Sequence, residues 1–480
     1  MKTLVDGYFI ILKTLVVGCL VGITCLIFTN VVLRYGFNSG LFFSEEISRL
    51  AFVWLVFAGA QLMLHEHGHI GVDIVTRRVS PGVARWLLGL FDGQIIAQNI
   101  INSAGSFPLL AIPLFIIAGE VMNSGGLSKR IIKLAITLVG HLRGGLGYVT
   151  IFAGVLLSSL SGSALADAAS LTALLLPMMV IAGYNRNRSG GLIASVSVLG
   201  SIIPPSIGFV VLGVASGLSI TKLFLAGIAP GLMIAAALVV AWWLMSRRNN
   251  DVQLSPKASG KERLKALVDS FWALMLPVII VVGLRFGVVT PTEAGAVASV
   301  YALLVSSLIY RELSLKSLNQ LLLRAGKTTA AVMFLVAAAS IPAWMITIAD
   351  IPGQIIDLIQ PVMDNPRLLI VVLMLLILVI SMVMDLTPTI LLLAPILVPV
   401  VTAANIDPIY FGVLFMINCS IGLITPPVGT VLNVVCGIGR MRYEALLKGT
   451  FPFLIAEIIV LFLLVIFPEL VTVPAQWFGH

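Results

Sequence analysis

The chain has 480 residues, of which 59% are hydrophobic and only 10% charged, and its mean hydropathy is +1.10. That lies far beyond the apolar share of a water-soluble domain, so an ordinary soluble enzyme or binding module is excluded and an integral membrane protein is indicated. The formal net charge of +8 does not mark a nucleic-acid binder, because the basic residues fall in short loops between apolar runs, where they report topology.

Apolar runs of roughly 17 to 25 residues recur from end to end, the length a helix needs to cross ~30 Å of hydrocarbon, and no alternating pattern suggests a barrel. The first, about Tyr8 to Leu33, is too long for a signal-peptide core and lacks a small-residue cleavage pattern, so it reads as a retained span. His65, His67 and His69 follow the next span without Cys or a well-spaced carboxylate and read as a juxtamembrane turn, not a metal site. Cys19, Cys25, Cys419 and Cys436 stand singly in apolar runs, with neither metal nor disulfide spacing. Basic loops lie at Ser128 to Arg143, Tyr184 to Arg188, Arg247 to Lys265, Arg311 to Lys327 and Arg440 to Lys448. Loops poor in Lys and Arg lie at Ser216 to Thr221, Phe286 to Thr292, Asp350 to Asn365 and Ala403 to Asp407. With the basic loops in the cytoplasm, Leu192 to Ala215 runs out and Leu223 to Met245 returns. Phe271 to Leu284 then runs out, Ala294 to Tyr310 returns, and Ala330 to Ala349 runs out. Glu293 reads as a carboxylate at a helix start, Glu120 lies near the end of its span, and Trp242 and Trp243 beside Arg247 and Arg248 read as an interfacial anchor.

Two segments break the alternation. Between Arg143 and Tyr184, both cytoplasmic by charge, the apolar run is interrupted by the small, polar SLSGSALAD, as expected of a re-entrant hairpin opening to the cytoplasm. Between Asn365 and Asn405, both on the charge-poor side, MDLTPT interrupts a second run, which reads as a hairpin entering from the opposite face. Each is followed by a related motif, GSIIPPSIG from Gly200 and GLITPPVG from Gly422. The offset of 222 also carries Gly227 to Gly449 and Pro230 to Pro452. At an offset of 218, Asp167 meets Asp385 and Pro177 meets Pro395. The chain thus contains a duplicated, inverted unit: an all-α, polytopic membrane fold with two re-entrant hairpins and two broken helices, a recurring transporter design.

Each Pro lacks an N–H, so a Pro-Pro pair opens a span into two half-helices and frees carbonyl oxygens near the bilayer centre. Those oxygens, with hydroxyls from a facing hairpin tip, are hard ligands suited to Na⁺. Two Na⁺ sites are therefore expected. One has Ser161, Gly162 and Ser163 facing Gly200 and Pro204; the other has Asp385 and Thr387 facing Gly422, Thr425 and Pro426. Asp167 and Asp385 would each cost about 2.5–3.5 kcal/mol at a span centre. An ion-site role for Asp167 stands beside that of a cap for the second hairpin arm.

The motifs SFPLLAIPLFIIAGEVMNSGGLSKRI, SLSGSALADAA, IIPPSIGFVVLGVASGLSITKLFLAGIAPG, TPTEAGAV, MVMDLTPT and GLITPPVG resemble the large membrane subunit of tripartite ATP-independent periplasmic (TRAP) transporters. Residues 93–480 carry this resemblance, with repeat one at about 107–246 and repeat two at about 271–474. Residues 1–92, through NVVLRYGFNSGLFFSEEISRLAFVWLVFAGA and HIGVD, resemble part of the family's small membrane subunit. The resemblance implies a Na⁺-driven importer of carboxylate-bearing solutes in the bacterial inner membrane, fed by a periplasmic solute-binding protein. It also implies that the hairpins and broken helices form an elevator-like moving domain, with a small subunit bracing the scaffold. The wording of the motifs is nearest the 2,3-diketo-L-gulonate type, which implies a sugar acid before sialate or a C4-dicarboxylate.

The chain departs from the family pattern in having about two small-subunit spans instead of four, and in lacking the two spans expected before SFPLLAIP. One crossing is missing by charge as well. Lys2 and Lys13 place the N-terminus inside, and two spans bring Arg77, Arg78 and Arg85 inside, whereas Phe107 must start outside to end inside at Lys129. Gly82 to Asn102, with Arg85, Asp92, Gln94, Gln98 and Asn99, is poor material for a span. The expectation is a truncated in-frame fusion. Two other readings remain to be weighed: a stand-alone Na⁺/carboxylate symporter, and an intramembrane aspartyl protease in which Asp167 and Asp385 share a proton.

Overall fold

The structure, a computed structural model, describes residues 2–65, 105–247, 257–363 and 365–478. His67, His69, Arg77, Arg78, Arg85, Arg248 and the 82–102 segment read as short of a crossing lie outside these. Ten described helices are long and apolar enough to cross a membrane, and no strand occurs among the described residues.

The chain opens with a long helix pair, α1 (Lys2–Phe37) and α2 (Ser44–His65). A 3₁₀ turn (Phe107–Leu110) leads into α3 (Ala111–Ser124), and the amphipathic α4 (Leu127–Val139) buries Leu127, Ile131 and Ala135 while leaving Lys129 outside. A helical hairpin follows, α5 (Gly145–Ser161) and α6 (Ala164–Ile181). Then come α7 (Arg186–Ser197), a 3₁₀ turn (Val198–Ser201), α8 (Ile207–Ser216) and α9 (Ile220–Ser246).

The second half starts with α10 (Gly260–Arg285), α11 (Pro291–Leu304) and its π-helical end (Val305–Ile309). It continues with the 34-residue α12 (Leu315–Ile348) and with α13 (Ile351–Met363). The second hairpin is α14 (Pro366–Ser381) and α15 (Leu386–Ala403), followed by α16 (Pro408–Gly422), α17 (Thr430–Gly439), α18 (Tyr443–Ile466) and α19 (Glu469–Phe478).

The duplication is visible in the element starts, and it corrects the pairing of the hairpins. The offset of 222 carries the first residue of α7 to that of α16 and the first residue of α6 to that of α15. It also takes Pro177 to Pro399 and Pro230 to Pro452, each inside its helix. In this register Ser163, not Asp167, is the counterpart of Asp385, and both sit at the N-cap of the second hairpin arm. The first arms end at Ser161 and Ser381, so the second tip, Met382 to Asp385, is two residues longer than Gly162–Ser163.

Side-chain pairings agree with the topology read from loop charge. On the charge-poor face, Arg34 at the end of α1 pairs with Glu293 at the start of α11 (2.7 Å), and the Thr292 hydroxyl donates to Phe107 O (3.4 Å). On the basic face, Arg130 meets Glu312 (2.6 Å), Arg324 approaches Glu120 (3.7 Å), and Arg186 donates to Gly439 O (2.5 Å). The Phe9 and His65 rings, 3.7 Å apart, bring both free ends of the α1–α2 pair together on that basic face. His65 and Phe107 therefore lie on opposite faces.

Trp242 is not an interfacial anchor. It is 4% exposed, stacks on Tyr184 and Phe453, and donates from Nε1 to Gly144 O (2.8 Å). Trp243 is exposed and lies under the Arg247 guanidinium (3.6 Å).

Glu293 is the N3 carboxylate of a capping box, accepting from Thr290 N (2.8 Å) while Thr290 Oγ1 accepts from Glu293 N (3.3 Å). Thr290→Ala is expected to lower stability by about 1 kcal/mol. Arg34→Ala should cost less, about 0.5 kcal/mol, because the Arg34 side chain is 46% exposed. Thermal unfolding in detergent of the two variants measures the order.

Candidate functional site

The first hairpin turns where it does because Gly162 sits at φ 63°, a left-handed conformation that ends α5, and because Ser163 is extended and caps α6 by accepting from Ala166 N (3.4 Å). With that N-cap filled by Ser163, Asp167 is free of the capping role. Its carboxylate, 2% exposed, turns back across the tip and accepts from Ser161 Oγ (2.6 Å) and Ser158 Oγ (3.1 Å).

The first broken helix faces this tip. Pro204 and Pro205 bring no N–H to the carbonyls of Gly200 and Ser201, so the helix cannot continue. Ser201 O is reclaimed by the Ser206 hydroxyl (2.6 Å), and Ser206 in turn caps α8. The Ile203 N–H goes to Leu199 O (2.8 Å), leaving Gly200 O with no backbone donor among the described residues. Tip and break touch. Ile207 N donates to Gly162 O (3.2 Å). A methyl on Gly162 would stand 2.6 Å from Pro205 O, and one on Gly200 would meet Asp167 Oδ2, Ser163 C (3.0 Å) and Ala164 N (3.1 Å). Residues 201–206, Pro204 included, are buried.

The second site has the same plan with different chemistry. Asp385 occupies the N-cap of α15 but makes no side-chain cap bond; its Oδ1 accepts from Thr430 Oγ1 (3.2 Å). The carbonyls that Pro426 and Pro427 abandon are both reclaimed, Gly422 O by Thr425 N (3.1 Å) and Leu423 O by Val431 N (3.1 Å). The Thr425 hydroxyl is committed to Ile421 O (2.6 Å). Thr387 is half-buried in the first turn of α15. Gly422 packs on Ser381, whose carbonyl would lie 2.7 Å from a methyl there, and Val428 N donates to Met382 O (3.4 Å). This break is more open, with Pro427 exposed and Pro426 half-buried. The Pro204–Pro205 and Pro426–Pro427 bonds are both cis. The two broken helices meet through the Ser201 and Ser420 hydroxyls, 2.6 Å apart and buried.

Tip and break thus touch in each copy, through Gly162 and Gly200 in the first and through Ser381 and Met382 in the second, where Asp385 reaches Thr430. Asp167 and Asp385, by contrast, each bond to hydroxyls of their own copy, which does not fit a proton-sharing pair. Thr430 was not anticipated; a hydroxyl opening the half-helix after a Pro-Pro break is the signal that marks it. Glu457 was not anticipated either. It is a lone carboxyl in the apolar run of α18, fully buried, with neither oxygen hydrogen-bonded among the described residues. A cavity of about 390 Å³ separates α8 and α15 from α12, lined by Ala215, Pro395 and Ser340 and reaching Ser106. Its size is that of a small-molecule pocket. No group of three or more His, Cys, Asp or Glu suited to a metal occurs among the described residues.

The family model of the tripartite ATP-independent periplasmic transporter, DctM component, matches residues 40–470. The chain is 53% identical to the 2,3-diketo-L-gulonate TRAP transporter large permease protein YiaN of Escherichia coli over 409 residues, 85% of this chain and 96% of that one. It is 39% identical to the sialic acid TRAP transporter large permease protein SiaM of Vibrio cholerae, over 80% of this chain and 90% of that one. Among solved structures, the Alcanivorax borkumensis YdaH transporter, whose topology is described as unusual, superposes with a TM-score of 0.59 at 14% identity. The match covers 90% of this chain and 98% of that one, and the likeness is one of fold.

Proposed function

Because this chain belongs to the large permease (DctM) family of TRAP transporters, we propose that it imports a carboxylate-bearing solute together with Na⁺, accepting the solute from a soluble periplasmic binding protein. It is a multi-pass inner-membrane permease and not an enzyme. A sugar acid is the solute class we favour, because the relative at 53% identity is named for 2,3-diketo-L-gulonate.

The observation that carries the reading is the seating of each hairpin tip on its own break, Gly162 on Pro205 and Gly422 on Ser381. This gathers hydroxyl and carboxylate oxygens at both sites, with the unclaimed Gly200 carbonyl added at the first, a set suited to a hard monovalent cation. At the first site the ligands are Ser161, Ser163, Asp167 and Gly200 O; at the second they are side-chain oxygens, Asp385, Thr387 and Thr430. The tips sit within the bilayer as re-entrant hairpins, and the cavity between α8, α15 and α12 is the solute path. The α1–α2 pair, clamped to α11 by Arg34 and Glu293, acts as the small-subunit-like brace.

Uptake of 2,3-diketo-L-gulonate into proteoliposomes, driven by a Na⁺ gradient and supplied with the binding protein, tests this. The expected result is Na⁺-dependent uptake that falls at least ~10-fold in a Ser161→Ala/Ser163→Ala double variant. Uptake indifferent to Na⁺ in both would remove the ion sites, and uptake that needs no binding protein would make the chain a stand-alone symporter.

A further inference from the structure

Glu457 has no part in either tip site. It lies 14 residues into α18, about 21 Å along a helix that starts on the basic face, so it sits deep in the apolar layer. Its exposure is 0%, and neither Oε1 nor Oε2 has a hydrogen-bond partner among the described residues. α7 packs against α18 and carries the Ser195 hydroxyl, which is near enough to act on the carboxyl but is not hydrogen-bonded to it. Ser195 Oγ is itself buried and unpartnered, whereas Ser197, two residues on, bonds back to Ile193 O (2.6 Å) in the usual way for a helical serine. Ser195 therefore does not bond back to its own helix. The two helices are in close contact nearby, where a methyl on Gly191 would stand 2.5 Å from Gly449 O.

A bare carboxylate in such a place costs several kcal/mol unless something neutralises it. Titratable groups on the helices packed against α18 are Arg186 and Arg188 on α7, Lys222 on α9, Arg367 on α14, Tyr410 and Cys419 on α16, Cys436 on α17 and Glu469 on α19. None of them makes an ion pair or hydrogen bond with Glu457. A dehydrated Na⁺ needs more oxygens than the two of Glu457 and the one of Ser195; the carbonyls of α18 at this level are held inside a helix, and Ser195 O and Val196 O, in the last turn of α7, accept from Val198 N. A proton needs one oxygen.

We propose that Glu457 and Ser195 form a proton-binding site inside the helix bundle, separate from the two tip sites. Protonation removes the buried charge, and a small approach of the unpartnered Ser195 hydroxyl supplies the carboxyl with a hydrogen bond. Because α7 leads directly into the first break, a shift of that break against α18 exposes or reburies the carboxyl and lets the proton exchange. This consequence, pH-dependent uptake through one group, rests on the transport reading; the site itself does not.

Infrared difference spectroscopy of the full chain in liposomes, stepped between about pH 6 and about pH 9, tests the site independently of transport. The expected result is a protonated-carboxyl carbonyl band that fades at the higher pH, is absent in Glu457→Gln, and moves in frequency in Ser195→Ala, which keeps the acid. A band unchanged by Glu457→Gln, or no such band at all, overturns the proposal, because the proton then lies elsewhere or nowhere. A Glu457 band of full intensity at both pH values also overturns it, since Glu457 is then a permanently neutral packing residue.

Discussion

Gly200→Ala will reduce Na⁺-driven uptake by ~100-fold or more while leaving the chain folded. The added methyl meets Asp167 Oδ2 and stands 3.0 Å and 3.1 Å from main-chain atoms of Ser163 and Ala164, so no side-chain rotation relieves it. The tip must back away from the break, and a displacement near 1 Å at a positioned site is worth about a factor of 100. Overpacking of this kind costs about 1–3 kcal/mol, which a large helical membrane protein tolerates. Gly437→Ala is the control: nothing lies within 4 Å of the new methyl, and in α17 the change should be neutral or stabilising by up to ~1 kcal/mol. Uptake that survives Gly200→Ala as well as Gly437→Ala would mean that tip and break need not touch.

Replacing the two aspartates will separate stability from transport. Asp167 is 2% exposed and accepts from two serine hydroxyls, so Asp167→Ala leaves both donors short of a partner and should cost about 1–3 kcal/mol as well as uptake. Asp385 is half-buried, and among the described residues its side chain accepts one hydrogen bond, from Thr430. Asp385→Ala should abolish uptake with a loss of stability below about 1 kcal/mol. Uptake and thermal unfolding measured on the same preparations decide it, and equal destabilisation by the two changes would contradict the asymmetry of the sites.

Much of this was legible in the sequence because hydrocarbon leaves few choices. Loop charge gave a topology that the Arg34–Glu293 and Arg130–Glu312 pairs respect, and the repeated Pro-Pro motif located both breaks. The hairpin register was misread for a physical reason. An N-cap accepts Ser as readily as Asp, so identity of residue type drew Asp167 to Asp385, while the helix starts align Ser163 with Asp385. Pro395 added to this by competing with Pro399 as the partner of Pro177. The unequal exposure of the two breaks depends on which helices cover them, which no local pattern carries. Glu457 leaves no such mark, because it is a single carboxyl inside an unbroken apolar run.

The shared hydrogen between Ser201 and Ser420 gives the two halves a common fate. With one hydrogen on each hydroxyl, one serine donates to its partner and the other donates into its own turn, Ser201 to Val198 O (2.8 Å) or Ser420 to Met416 O (2.6 Å), so the link is anchored through its acceptor. Sliding one unwound strand past the other would tear a buried polar contact with no water at hand to heal it, a loss of about 1–3 kcal/mol. The cheaper course for any displacement is one that keeps the two breaks in step.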